Sequence, residues 1–181
     1  MDQTLDFEAL KQGLIDLVQE SQIKVGYTKN AVGLYYPLDS LNHLLGAEQS
    51  ADEMEDSLRR FCGYAKDPLG EITVTRDGEL FCITISEEGA AYVHDSCGDN
   101  AFLRAFIQQI GTHPCGLDDL LAVFRQYSTH VVCQKIDNEE FDYLVYFADG
   151  RPDSYRYCIR LEMGHAIYHR FTDKDYQAFG F

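Results

Sequence analysis

Apolar residues recur at three- and four-residue steps at the start of the chain. Phe7, Leu10, Leu14, Leu17 and Val18 form the stripe, and Glu8, Lys11 and Gln12 lie off it. That period predicts an amphipathic helix packed on a core, with Asp2 or Thr4 as its N-cap. Residues 33–36 form an extended run that ends at Pro37, because the residue before a proline avoids helical geometry. Leu38, Leu41, Leu44 and Leu45 mark a short helix stopped at Gly46. Ser50 and Glu53 form a capping box ahead of a stripe of Met54, Leu58, Phe61 and Ala65. Asp52, Glu53, Glu55 and Asp56 crowd the first turn. The helix dipole favours negative charge there, so the cluster needs no ligand to explain it.

The period then changes to two. Ile72 and Val74 alternate with Thr73 and Thr75, and Asp77-Gly78 is a strong hairpin signal. Phe81, Ile83 and Ile85 alternate with Cys82, Thr84 and Ser86. A two-residue Asp77-Gly78 loop sets Val74 opposite Phe81 and Ile72 opposite Ile83, apolar against apolar. A turn at Glu87-Glu88-Gly89 leads to a third strand over 90–94. Phe102, Leu103, Phe106, Ile107 and Ile110 make a helix ended by Gly111. "THPCG" breaks the pattern, and Leu117, Leu120, Leu121 and Phe124 make another helix. Strands follow over 131–136, 141–148, 155–162 and His165–Phe171, with a last helical turn over 173–176. The order is helices, three strands, two helices, four strands. It predicts an α+β fold with a mainly antiparallel sheet and helices on one face.

The chain has 181 residues and 45% hydrophobic content, enough for one core, so a single globular domain over 1–181 is expected. The formal net charge is −15. A phosphate backbone or an anionic membrane surface needs basic clusters, which are missing, so neither is an expected partner. A basic protein or a small cationic ligand suits the charge. "MDQTLDFEALKQ" has neither the positive start nor the apolar run of a secretory signal. The expected compartment is the cytoplasm, with the six cysteines as reduced thiols. No C-x-x-C spacing exists. Walker, dinucleotide and nucleophile-elbow motifs are also missing, so no cofactor is expected. Asp173-x-Asp175 lacks the glycine and glutamate of a calcium loop and reads as a helix N-cap.

The densest chemistry lies in "RYCIRLEMGHAIYHRF", 156–171. A two-residue turn at Met163-Gly164 sets Glu162 opposite His165, Arg160 opposite Ile167, Cys158 opposite His169 and Arg156 opposite Phe171, all on one face. Matching the core faces of the preceding strand brings Asp142 near Arg160 and Tyr146 near Arg156. His165 and His169 show H-x₃-H spacing, which on a helix leaves them roughly 6 Å apart. On a strand, four steps separate them by roughly 13 Å, too far to share a metal. No metal site is therefore expected. Directly opposed Cys158 and His169 could act as nucleophile and base, with Arg156 and Arg160 favouring the thiolate and holding an anionic substrate. Asp142, Tyr146 and Glu162 complete the candidate ligand-binding set.

"QIKVGYTKNAVGLYYPLDSLNHLLG", "FDYLVYFADGRPDSYRYCIRLE" and the following "YHRF" resemble a domain-of-unknown-function family of gut anaerobic bacteria. The resemblance covers nearly the whole chain. It implies a single cytoplasmic bacterial domain and brings no catalytic residue with it. Together these readings favour a small acidic binding or protein-interaction module. The alternative is an enzyme acting through Cys158 and His169 on an anionic substrate.

Overall fold

The structure is a computed structural model that describes residues 4–179. Asp2, one of the two expected caps of the first helix, lies outside them. The chain divides into two compact units, one running to Asp99 and the other beginning at Asn100. Seven helices and two antiparallel sheets, of three and four strands, make up the described residues, and the class is α+β. Among the described residues no helix is long and apolar enough to cross a membrane.

The first unit runs α1 (Phe7–Val25), β1 (Val32–Pro37), α2 (Leu38–Leu45), α3 (Ala51–Leu69), β2 (Ile72–Asp77), β3 (Leu80–Ile85) and α4 (Glu87–Ser96). Asp6, not Thr4, caps α1; its carboxylate accepts the Ala9 N–H at 2.9 Å. Pro37 closes β1 and stands at the N-cap of α2, and Gly46 ends α2 in the left-handed conformation. The Ser50–Glu53 capping box opens α3. Strands are ordered β1-β3-β2. Phe81, Ile83 and Ile85 of β3 are fully buried and face a core of Leu10, Leu14, Leu41, Met54, Leu58 and Phe61. Tyr35, Thr73 and Thr75, of the other parity, are exposed, and Cys82 and Thr84 of β3 are half-buried. This sheet is covered on one face, as an antiparallel sheet can be.

Two expectations change here. The β2–β3 loop is Gly78-Glu79 rather than Asp77-Gly78, so Ile72 faces Ile85 and Val74 faces Ile83. Gly78 has φ 60° at the first loop position, where a type II′ turn takes glycine. The slip moves each partner by two residues, which preserves the apolar face. It also lines up Val32, Ile85 and Ile72 in one row and Leu34, Ile83 and Val74 in the next. The second change is at 90–94, which belongs to α4 and is not a strand. Ser86 caps α4 by accepting the Gly89 N–H at 3.3 Å. Gly89 serves close packing and not a turn, because a Cβ there would collide with the Leu69 carbonyl and the Ile85 side chain. The third strand of the sheet is β1.

The second unit runs α5 (Ala101–Ile110), α6 (Leu117–Tyr127), β4 (Val131–Lys135), β5 (Tyr143–Phe147), β6 (Arg156–Glu162), β7 (His165–Phe171) and α7 (Asp173–Phe179). Its sheet is a meander, β4-β5-β6-β7. Phe102 of α5 packs edge-on against Phe147 and Tyr157, and Phe106 of α5 and Phe124 of α6 pack edge-on against Tyr157, with centroids 4.8–5.7 Å apart. This aromatic block covers one face. The other face also carries a helix: α7 packs back on β7, and its Tyr176 stands near Cys158 and Tyr146. Helices in this unit therefore lie on both faces, which differs from the one-sided arrangement expected.

Candidate functional site

The β6–β7 hairpin has the predicted register. Cys158 faces His169, Arg160 faces Ile167, Arg156 faces Phe171 and Glu162 faces His165. Met163 and Gly164 have φ of 51° and 78°, the left-handed pair that a type I′ turn demands. On β5, Leu144 faces Cys158 and Val145 faces Tyr157, which sets Tyr146 beside Arg156 and Asp142 beside the next turn of ladder. The seven candidate residues thus share one region of the sheet.

Their chemistry is different from the enzyme expectation. Cys158 is fully buried, and burial pushes its thiol up to about 11. A nucleophilic cysteine needs the opposite shift. Arg156 does not serve the sulfur: its guanidinium bonds Asp173 at 2.7 and 2.9 Å and lies 3.6 Å from the centroid of the Tyr146 ring. Arg160 reaches the Glu139 carbonyl and the Glu162 carboxylate, each at 3.4 Å. Asp142 accepts the Leu161 N–H at 2.8 Å. His169 is exposed, with its ring 4.4 Å from that of Phe171. The register argument found the neighbours correctly. It could not foresee that α7 covers the sulfur and that Asp173, on α7, takes the arginine. The activated-thiolate reading of Cys158 is corrected on that ground.

A second site forms in the first unit, where the sequence had suggested a strand. A cleft of about 670 Å³ is lined by Tyr27, Lys29, Glu87, Glu88, Ala91, His94 and Asp95. Five of these come from α4. Glu87, Ala91 and Asp95 follow at i, i+4 and i+8, so they share one line of the helix, about 12 Å long. Ala91 is the small residue between two carboxylates and leaves space over the helix. The segment after α1 supplies the opposite wall. Its Tyr27 ring stacks on His94 at 4.1 Å and 18°. Lys29, at φ 58°, contributes an ammonium. Three carboxylates therefore stand against one lysine. Among the described residues, Glu87, Glu88 and Asp95 form no ion pair. Sequence reasoning missed this wall because it read 90–94 as extended. The signal was present in Ser86 followed by Glu87 and Glu88, a cap with an acidic first turn.

The chain belongs to the family described as "Domain of unknown function, E. rectale Gene description (DUF3877)", whose model matches residues 7–180. The match runs through both units and agrees with the resemblance seen in the sequence. No curated protein and no solved structure matches the chain.

Proposed function

We propose that the protein is a binding module whose α4 cleft takes a positively charged group, from a basic protein or a small cationic ligand. One observation supports this reading above others: three exposed carboxylates line a cleft beside a stacked aromatic pair, with no arginine or lysine among the described residues ion-paired to them. Carboxylates balanced within a fold are explained by the fold; these are not. A cation entering the cleft gains their attraction and an aromatic ring face at once. The net charge of −15 adds long-range steering toward the same kind of partner. In this reading the module works in the cytoplasm, where its six thiols stay reduced.

Titration calorimetry with agmatine, spermidine and an Arg/Lys-rich peptide tests the proposal. Binding is expected at low salt and weakens as salt screens the cleft. The triple variant E87Q/E88Q/D95N is expected to lose about tenfold or more in affinity, at about 1 kcal/mol or less per exposed charge. D52N/E55Q/D56N changes the net charge equally and should bind as the wild type does. Equal losses in both variants would reduce the effect to bulk charge and sink the site. So would silence toward all three probes.

A further inference from the structure

His165 has a histidine neighbour, but not the one its sequence spacing suggests. His169 lies four positions along the same strand. The ring beside His165 is that of His113, in the loop between α5 and α6, with centroids 4.4 Å apart and planes tilted by 47°. We propose that His113 and His165 form a two-imidazole chelate for a divalent transition-metal ion.

The backbone holds the two rings together before any ligand arrives. The Cys115 N–H, two residues beyond His113, donates to the Gly164 carbonyl, next to His165, at 2.8 Å. Gly164 also makes room, since a Cβ there would sit 3.1 Å from His113 Nε2. That same Nε2 lies 3.4 Å from the Met163 carbonyl oxygen. Donating its proton to that oxygen leaves Nδ1 of His113 with a free lone pair. A histidine that ligates a metal commonly gives its other N–H to a backbone carbonyl in this way.

Two imidazole nitrogens bound to one ion each stand about 2.0–2.1 Å from it. Both histidines are exposed, so water completes the coordination shell. Imidazole donors suit zinc, copper and nickel and suit magnesium or calcium poorly. Among the described residues no group of three or more metal-ligating side chains occurs. The site is accordingly a two-ligand, exchangeable one that ties the α5–α6 loop to the β6–β7 turn.

The test uses the untagged full chain and Ni²⁺, which avoids much of the thiol affinity that zinc and copper would show. Calorimetry should give one Ni²⁺ per chain. H113Q and H165Q should each weaken binding about tenfold or more, the scale on which even outer-shell partners matter. H169Q should leave it unchanged. In the wild type, Ni²⁺ should broaden the imidazole resonances of His113 and His165 before those of His169, a readout independent of how the variants fold. Retained affinity in both H113Q and H165Q overturns the proposal, as does a loss in H169Q of the same size. Absence of Ni²⁺ binding at about pH 7.5 overturns it too.

Discussion

Helices α3 and α4 begin alike and end up doing different things. Each has a serine N-cap, Ser50 or Ser86, and acids in its first turn. On α3 each of the four acids near its N-terminus has an internal use. Glu53 closes the capping box, and the Ser50 backbone N–H and hydroxyl hold its carboxyl below the usual glutamate range. Asp52 meets Arg76 at 2.7 Å, and Arg59 holds both Glu55 at 2.7 Å and Asp56 at 3.0 Å. Among the described residues, the α4 carboxylates of Glu87, Glu88 and Asp95 form no ion pair, and they line a cleft instead. The same local signature thus serves structure where arginines answer it, and leaves exposed carboxylates lining a cleft, the proposed recognition site, where they do not. What separates the two is the position of Arg76 and Arg59, not the acids themselves.

That contrast can be broken at several points. The largest effect should come from Gly89→Ala in α4. The added methyl has no space between Leu69 and Ile85, and overpacking of this kind costs about 1–3 kcal/mol. Urea unfolding should show the loss, and cation binding should fall with it because the α4 wall moves. A comparable alanine at Gly63, an exposed position of α3 with nothing within 4 Å of a new Cβ, should be neutral or stabilising. If Gly89→Ala is as harmless as Gly63→Ala, the close packing of α4 is wrong. Removing the caps comes next. Ser50→Ala and Ser86→Ala should each cost about 1 kcal/mol, with the larger loss at Ser50, whose hydroxyl also donates to the Glu53 carboxylate at 2.8 Å. Equal costs would mean that the box adds nothing to a simple cap.

The smallest effect is a pH dependence. Glu53 has a lowered value in the folded chain, so its contribution is present above the ordinary glutamate range near 4.3 and is lost as pH falls through the folded value. The stability difference between wild type and Glu53→Gln should therefore be constant at neutral pH and shrink below about pH 4. A difference that grows on acidification would reverse the assigned direction.

Much of the fold was legible because much of it is local. The stripe of Met54, Leu58, Phe61 and Ala65 is buried as its period implied, and Leu10, Leu14 and Val18 likewise. The β6–β7 register followed from one turn and one alternation, since Met163-Gly164 admits only one pairing that keeps Tyr157, Ile159 and Ala166 inward. The β2–β3 turn was less determinate. Asp77-Gly78 and Gly78-Glu79 both place a glycine where a hairpin needs one, and both keep the apolar face. The alignment with β1 across β3 selects between them, and β1 lies more than thirty residues away. Residues 90–94 form a short, nearly continuous apolar run, whose periodicity cannot separate a strand from a helix. Packing of Gly89 against Leu69 settles the matter in space.

The amino-acid order by itself determined where most helices and strands run, how several are capped, and which residues face each other across the last hairpin. These follow from backbone geometry and side-chain alternation over a few residues. Tertiary structure alone decided which charges are neutralised, which thiol is taken out of water, and which imidazole stands beside His165. Protonation, ion pairing and metal binding depend on distances of a few ångströms between groups far apart in the chain. A linear pattern names the groups, and only the packed chain brings them together.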